Sequence, residues 1–235
     1  ENSQLRANHP TYGPDGFIYV ANGLRGGKIV AERPEWKKSD EPLVINGFDF
    51  RFHPETGEFG TITGHGQFGL TFDDLGRRFV CSNRNPCQHV VLEDAYLKLN
   101  PKFGAKAVMH DVCAAGEKSR LYPISQTWTT STSHANQFTA ACGVMIYRGD
   151  GLPSEYYNSA FTCDPTGNLI HHEFLVPDGP TFAGKVREVG KELLASTDTW
   201  FRPVNLAHGP DGALYVVDMY RAVIEHPDWM PAELK

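Results

Sequence analysis

Residues 13–22 read Gly-Pro-Asp-Gly-Phe-Ile-Tyr-Val-Ala-Asn, and residues 209–218 read Gly-Pro-Asp-Gly-Ala-Leu-Tyr-Val-Val-Asp. Arginines flank both segments at the same offset of 196 residues, Arg6 with Arg202 and Arg25 with Arg221. Asp-Gly favours a tight turn because glycine adopts positive φ without steric cost, and the alternating apolar residues on either side are typical of half-buried strands. The segment therefore predicts a β-hairpin that recurs along the chain.

Two weaker copies of this hairpin lie in residues 69–82 and 160–171. The four turn glycines, separated by 60, 91 and 45 residues, are Gly16, Gly76, Gly167 and Gly212. If the long middle interval holds one more copy, the mean repeat is 49 residues, close to the roughly 40–50 residues of a four-stranded propeller blade. We therefore predict an all-β fold, an incomplete β-propeller of about five blades in a single domain over residues 1–235, with these turns on one face.

The composition favours a turn-rich β protein with a real core, since 40% of the 235 residues are hydrophobic and 23 are glycine. The net charge of −6, without a basic run, argues against a nucleic-acid partner. The apolar runs are too short to cross a bilayer. The chain starts without methionine or a signal peptide, so we expect it to be a mature piece or an excised fragment.

The chain has five cysteines, so at least one stays unpaired within it. The spacing leaves two disulfides within reach, Cys81 with Cys87 or Cys142 with Cys163, and buried free thiols are the alternative. No Cys-x-x-Cys occurs, so we expect neither a zinc ribbon nor a covalently bound c-type haem in this chain.

Polar residues gather just before the first strand and just after the second strand of each predicted hairpin. Both positions lie at one end of a hairpin, so a repeated hairpin should collect them into a ring. The four copies contribute Arg6, Asn8, His9, Asn22 and Arg25; His65, Gln67, Asn83, Arg84 and Asn85; Asn158, His171, His172 and Glu173; and Arg202, Asn205, Asp218 and Arg221. Arginines at these positions indicate recognition of a carboxylate or phosphate, and histidines indicate proton transfer.

Structural roles are the alternatives for these residues. Each arginine could instead form a salt bridge, at the surface or between blades. Of His171 and His172, one could pack in the strand while the other is solvated. Asp218 and Glu173 could bind Ca²⁺ or pin neighbouring turns. His134 follows a Ser/Thr-rich stretch, residues 125–133, that is expected to form a loop over the ring.

Several long motifs resemble a known family. They are His-Ala-Asn-Gln-Phe-Thr-Ala-Ala-Cys-Gly at residues 134–143, Tyr-Arg-Gly at 147–149, Cys-Asp-Pro-Thr-Gly-Asn-Leu-Ile-His at 163–171, Trp-Phe-Arg-Pro-Val-Asn at 200–205, the Gly-Pro-Asp-Gly segment through Arg221, and Phe-Val-Cys-Ser-Asn-Arg-Asn-Pro at 79–86. Across nearly the whole chain they resemble the membrane-bound dehydrogenase domain of planctomycete and verrucomicrobial proteins. That family is similar to the soluble glucose and sorbosone dehydrogenases.

The resemblance implies a propeller of the NHL or glucose-sorbosone dehydrogenase type. It also implies a periplasmic or secreted quinoprotein that uses pyrroloquinoline quinone, with Ca²⁺, to oxidise a sugar or alcohol. A c-type cytochrome domain, often continuous with such chains but absent here, would be the electron acceptor. The residues assigned to this chemistry are Arg202, Arg221, Arg25, Arg84, Asn83, Asn205 and His171 for the quinone, Asp218 and Glu173 for the metal, and His134, then His65, for the proton.

A non-catalytic propeller is the alternative function. It would bind a glycan or a partner protein through the same face, using the arginines with Trp200 and Tyr220. A hydrolytic, lactonase-like propeller with a central metal is a more distant alternative.

Overall fold

A computed structural model describes residues 5–37, 40–105, 107–126 and 135–224. The strands in these residues are β1 (Asn8–Tyr12), β2 (Ile18–Ala21), β3 (Lys28–Ile29), β4 (Leu43–Val44), β5 (Asp49–Phe52), β6 (Phe59–Ile62), β7 (Leu70–Phe72), β8 (Arg78–Ser82), β9 (Asn85–Val90), β10 (Met109–Asp111), β11 (Cys142–Ile146), β12 (Ala160–Asp164), β13 (Leu169–Asp178), β14 (Thr181–Lys185), β15 (Leu194–Ala195), β16 (Pro203–His208) and β17 (Leu214–Asp218). One helix, α1 (Asp94–Leu99), and short 3₁₀ turns at Pro34–Trp36, Gly116–Lys118 and Ser154–Tyr156 complete the described elements.

The strands form consecutive antiparallel sheets. The first has the order β1-β2-β5-β6, the second β7-β8-β9-β10 and the third β11-β12-β13-β14, and β16-β17 form a two-stranded sheet. The first strand of each sheet contacts the first strand of the next, β1 with β7, β7 with β11 and β11 with β16. This is the arrangement of a β-propeller, whose blades surround an axis with their first strands innermost. The all-β propeller prediction is therefore confirmed.

The hydrophobic core lies between neighbouring sheets. Tyr19 and Leu70 belong to the cluster between the first and second sheets, and Phe79 and Ile146 to the cluster between the second and third. Every residue of β7, β11 and β12 is buried, as expected for strands covered on both faces. Apolar side chains on both faces of these strands pack between neighbouring sheets and stabilise their association.

The repeat predicted from the sequence is visible in the hydrogen bonds. The amide of Gly13 donates to the carbonyl of Phe17 (2.7 Å), and at the same offset the amide of Gly209 donates to Ala213 (2.8 Å). The turn glycine has φ of +83° in the first copy and +76° in the last. The first and last hairpins are thus the same structural unit.

The turns between the first and second strands of the sheets lie together at one end of the molecule, which we call the turn end. The contacts that join them are Pro14 against Gly76, Arg148 with Asp74 (3.3 Å), and the amide of Gly151 with the carbonyl of Gly212 (3.1 Å). The opposite end, which we call the polar end, is joined by Asn8 with Gln67 (2.7 Å), Ala141 with Asn83 (3.0 Å) and Arg202 with Pro165 (2.6 Å). The polar positions of the first, second and fourth copies therefore gather at one end.

The expectation for the third copy was wrong. Gly167 lies in the turn between β12 and β13, the second and third strands of its sheet, and this turn is at the polar end. The positive φ there belongs to Asn168 (+54°). The Asp-x-x-Gly chemistry of a tight turn is the same at either end of a sheet, so the local sequence does not encode which end it occupies.

The count of repeats also differs from the expected five. The described strands form two four-stranded sheets, a third sheet of five strands in which β15 pairs with β13, and two two-stranded sheets, β3-β4 and β16-β17. The copy expected in the long middle interval is β11 with the start of β12, whose connection replaces Gly-Pro-Asp-Gly with residues 147–159. Because the 160–171 segment is the next turn of that same sheet, it adds no further blade.

All five cysteines are buried free thiols, so neither of the two disulfides within reach is formed. Cys142 and Cys163 are directly opposite each other on β11 and β12. No helix in the described residues has the length and hydrophobicity required to span a bilayer.

Candidate ligand-binding site

Arg84 follows β8 at the polar end. Its Nη2 donates to Oε1 of Gln137 (3.1 Å), and its carbonyl accepts the amide of Gly116 (2.8 Å). Its Nε is shielded from solvent and has no hydrogen-bond partner. A buried guanidinium N–H without an acceptor is costly, so this donor is a candidate contact for a ligand.

Hydrogen bonds among segments of three sheets fix the backbone around Arg84. The amide of Asn83 donates to Oε1 of Gln67 (2.9 Å), and Nδ2 of Asn8 donates to the carbonyl of Gln67 (2.7 Å). The carbonyl of Asn83 accepts the amide of Ala141 (3.0 Å). We call Gln67, Asn83, Arg84 and Gln137 the Arg84 cluster.

A second unpartnered polar atom lies in the segment that carries Gln137. The hydroxyl of Thr139 is buried and has no hydrogen-bond partner. The amides of Thr139 and Ala140 lie 3.4 Å from Oδ2 of Asp164, which anchors this segment to the end of β12. Burial raises the pKa of Asp164 to about 6, against the opposing effect of the backbone amides that donate to it. The two unsatisfied donors, on Arg84 and Thr139, therefore border one anchored segment.

His65 lies at the same end, in the connection from β6 to β7. Its Nε2 is 3.2 Å from the carbonyl of Leu24, which can only accept, so Nε2 carries the proton. In the neutral ring this leaves Nδ1 as the basic nitrogen. The next residue, Gly66, donates its amide to Oδ1 of Asp49 (3.0 Å), which fixes the backbone beside the imidazole.

The other predicted arginines differ from Arg84. Arg202 is buried, and its guanidinium donates to the carbonyls of Pro165 (2.6 Å), Ala222 (2.6 Å) and Arg221 (3.2 Å). The guanidinium of Arg202 therefore makes hydrogen bonds within the chain. Arg25 and Arg221 are exposed at equivalent positions of the first and last hairpins.

Asp218 and Asn205 make local contacts. Oδ1 of Asp218 accepts the amides of Arg202 (2.8 Å) and Tyr220 (2.9 Å). Oδ1 of Asn205 accepts the amide of Leu206 (2.9 Å). Both side chains thus shape the fourth copy of the hairpin.

His171 and Glu173 form a buried cluster away from solvent. Nδ1 of His171 lies 2.6 Å from Oε2 of Glu192, and its Nε2 lies 3.1 Å from Oε1 of Glu173. Burial disfavours the imidazolium, but the hydrogen bonds and charges of the two glutamates outweigh it and raise the pKa of His171 to about 9. Phe138 packs edge-on against the imidazole at 5.4 Å. His171 is therefore a cation paired inside the third sheet.

Glu173 and Asp218, the two residues predicted for the metal, are at different positions of their sheets. Glu173 is in the middle of β13 beside His171, whereas Asp218 ends β17. Across residues 5–37, 40–105, 107–126 and 135–224, no group of three or more His, Cys, Asp or Glu side chains is placed to hold a metal ion.

His134, the first choice for the proton acceptor, lies outside the described residues. The sequence analysis missed Gln137, Thr139 and Glu192. Gln137 and Thr139 belong to the 134–143 motif, which was the available signal for them. Glu192 comes from an irregular connection that carries no pattern.

A depression in the described surface lies elsewhere. It has a volume of about 290 Å³ and is lined by residues that include Ile29, Leu43 and Phe59. It contains none of the predicted site residues. We therefore place the candidate site by the unsatisfied donors of the Arg84 cluster rather than by the size of a cavity.

Comparison with known proteins gives one family. The family model described as "Domain of unknown function (DUF7133)" matches residues 1–235. No curated protein matches the chain.

Solved structures with similar folds include a glucose dehydrogenase, with 14% identity and a TM-score of 0.44, covering 89% of this chain and 59% of that chain. A PQQ-bound aldose sugar dehydrogenase from Streptomyces coelicolor has 14% identity and a TM-score of 0.42, with 95% and 60% covered. The apo-form of the soluble aldose sugar dehydrogenase from Escherichia coli has 15% identity and a TM-score of 0.39, with 91% and 62% covered. The chain thus spans about 60% of these structures, and the likeness is too distant to assign an activity.

Proposed function

We propose that the chain, which belongs to the DUF7133 family, is a propeller oxidoreductase that binds pyrroloquinoline quinone at the Arg84 cluster and oxidises a sugar or alcohol hydroxyl. A periplasmic or secreted location and a c-type cytochrome as electron acceptor belong to the same proposal.

The observation that carries the proposal is the unpartnered Nε of Arg84. A carboxylate that reaches this side of the guanidinium, which requires the groups that now shield Nε to move, would satisfy the donor in the planar, bidentate geometry that arginine favours. Gln137 already holds Nη2, so the guanidinium is oriented before the ligand arrives. A ligand bearing carboxylates, as the quinone does, therefore fits the donors present here.

The residues around Arg84 would hold the ligand in place. Asn83 and Gln67 are fixed to each other by a 2.9 Å hydrogen bond, and the unsatisfied hydroxyl of Thr139 offers one more donor in the adjoining segment. Arg202 is not part of this binding site, because its guanidinium donates to three backbone carbonyls. We assign Ca²⁺ to none of the described residues.

The quinone, when bound, supplies the two-electron acceptor for the oxidation. The chain's own contribution is to remove the hydroxyl proton of the substrate. Among the described residues we propose His65 for this step, because its Nε2–H is held by Leu24 and its basic Nδ1 remains available in the neutral ring. His134, the first choice from the sequence, remains a proposal for the same step.

Binding of the quinone to the purified protein tests the site directly. With Ca²⁺ present, we expect titration calorimetry to show saturable binding that Arg84→Ala weakens by at least about thirtyfold, the equivalent of about 2 kcal/mol. Arg148→Ala is the matched control, because Arg148 is half-exposed at the turn end beside Asp74. No binding to the parent protein, or equal binding to both variants, would overturn the proposed site.

Dye reduction with a panel of aldoses and primary alcohols tests the activity. His65→Gln should lower kcat by about 10²–10⁴ and leave quinone affinity within a fewfold, because the residue moves a proton rather than holding the cofactor. Full activity in His65→Gln with none in His134→Gln would transfer the role to His134. Full activity in both would remove histidine catalysis.

A further inference from the structure

We infer that Trp200 and Tyr220 form a binding platform for the apolar face of a saccharide. The two rings are at the polar end, before β16 and after β17, and their centroids are 5.7 Å apart with a 52° angle between planes. Trp200 is 49% exposed and Tyr220 is 57% exposed. Two neighbouring large rings with about half their area in water form an exposed aromatic surface of the kind that binds ligands.

The Asp198 carboxylate is associated with both residues. Its Oδ1 accepts the backbone amide of Trp200 (2.9 Å), and the carboxylate raises the pKa of Tyr220. The amide of Arg221 donates to the carbonyl of Trp200 (3.0 Å), which joins the two segments beneath the rings. An ordered platform loses little side-chain entropy on binding a ligand.

Tyr220 is kept in an unfavourable backbone conformation to present its ring. Its φ is +44°, a region in which an aromatic residue is rare. The 2.9 Å hydrogen bond from its amide to Oδ1 of Asp218 maintains this conformation. Strain of this kind persists where the surrounding structure enforces it, most often at ligand sites.

The first copy of the hairpin shows that the exposure of Tyr220 belongs to its position. Leu24 occupies the equivalent site with φ of +68°, in a hairpin completed to four strands, and it is still 36% exposed. By contrast, Ala21 is buried beneath its neighbours while its equivalent, Val217, is exposed. Val217 is exposed because no third strand pairs with β17 among the described residues. The position of Tyr220 differs, because its equivalent in the four-stranded first sheet, Leu24, is also exposed.

The polar groups around the rings indicate the ligand class. Asp198 and Asp218 supply carboxylate acceptors, and Arg221, exposed and next in the chain, supplies a guanidinium donor. A pyranose ring has an apolar C–H face that stacks on aromatic rings and hydroxyl groups at its edge that bond to such groups. A few polar groups beside an aromatic surface are what orient a small ligand.

Quenching of tryptophan fluorescence and saturation-transfer NMR with cellohexaose, xylohexaose and mannohexaose test this inference. We expect binding of at least one oligosaccharide at millimolar concentration or below. Trp200→Ala and Tyr220→Leu should each weaken it at least about tenfold, which is about 1.4 kcal/mol. Tyr220→Leu introduces the residue found at the equivalent position of the first copy, Leu24, so the variant should fold normally. Saturation transfer from the protein to the oligosaccharide reports binding independently of activity.

Tyr215→Ala is the control, because Tyr215 is an exposed aromatic residue on β17 outside the platform. All titrations are made without quinone, so a failure of quinone binding leaves the result interpretable. The inference is overturned if none of the hexasaccharides binds, or if Tyr215→Ala weakens binding as much as Tyr220→Leu. If the fluorescence response disappears when the protein is diluted at constant oligosaccharide concentration, the rings belong to a contact between copies of the chain. This result would also overturn the inference.

Discussion

Tyr19 and Tyr215 occupy the same position in the first and last copies of the hairpin, and each hydroxyl donates to the aspartate four residues earlier, at 2.7 Å to Asp15 and 3.2 Å to Asp211. Tyr19 is 7% exposed, whereas Tyr215 is 51% exposed. The difference arises because Tyr19 packs edge-on against Phe72 of the next sheet at 4.9 Å, and Tyr215 has no such cover among the described residues.

Replacing these two tyrosines should therefore have unequal effects on stability. Tyr19→Ala is expected to lower the free energy of unfolding by about 3–5 kcal/mol, because it empties a packed site between two sheets. Tyr215→Ala should change it by less than about 1 kcal/mol. Urea denaturation of both variants makes the comparison, and equal losses would contradict the assignment of the core to the sheet interfaces.

Arg202 should prove to be a stabilising residue. Its buried guanidinium donates to three carbonyls, so Arg202→Ala leaves these acceptors without partners and is expected to cost about 2–4 kcal/mol. Arg221→Ala, at an exposed position, should leave the melting temperature nearly unchanged. Differential scanning calorimetry measures both. A stable Arg202→Ala variant that lost quinone affinity would restore the role first expected for it.

The contribution of His171 to the stability of the protein should fall between pH 6.5 and 8. The folded-state pKa of His171 is raised to about 9, so the folded protein holds a proton that the unfolded chain releases near pH 6.5. The stabilisation by the paired imidazolium is complete below pH 6.5 and declines by about 2 kcal/mol by pH 8. Above that, thiols of the unfolded chain also ionise, which is why the range stops there.

Glu192→Gln separates this effect from other titrations. The variant removes one of the two carboxylates that face His171, so its unfolding free energy should depend less on pH across the same range. Urea titrations at pH 6.5 and 8 give the slope for each protein. Identical slopes in the parent and in Glu192→Gln would show that His171 is not the group responsible.

The five cysteines should be unreactive in the native protein. All are buried, and burial raises the pKa of Cys81 to about 12, so the thiolate that attacks a thiol reagent is scarce. We expect Ellman's reagent to react slowly before denaturation and to titrate five thiols after it. Rapid reaction of the folded protein, or fewer than five thiols in freshly unfolded protein prepared under reducing conditions, would be the opposite result.

Strand class, turn chemistry and the repeat could be read from the sequence because each depends on neighbours in the chain. Gly-Pro-Asp-Gly forms the same hydrogen bonds at Gly13 and Gly209. The placement of Gly167 could not be read, because a tight turn looks the same at either end of a sheet.

The candidate site could be read only in part. Arg84 and Asn83 were identified from their position after a strand, and the structure places both at the polar end. The sequence did not indicate which guanidinium groups find hydrogen-bond partners within the chain. Arg84 and Arg202 follow or precede strands in similar contexts, yet one keeps an unsatisfied Nε and the other donates to three carbonyls.

The repeated antiparallel hairpins follow from the sequence alone, because turn residues and alternating apolar residues act over a few neighbours. Which polar groups are satisfied and which are exposed depends on the folded chain. These outcomes require contacts between distant segments, such as Glu192 with His171 or Gln137 with Arg84, whose partners are 21 and 53 residues apart and carry no mutual signal in the chain.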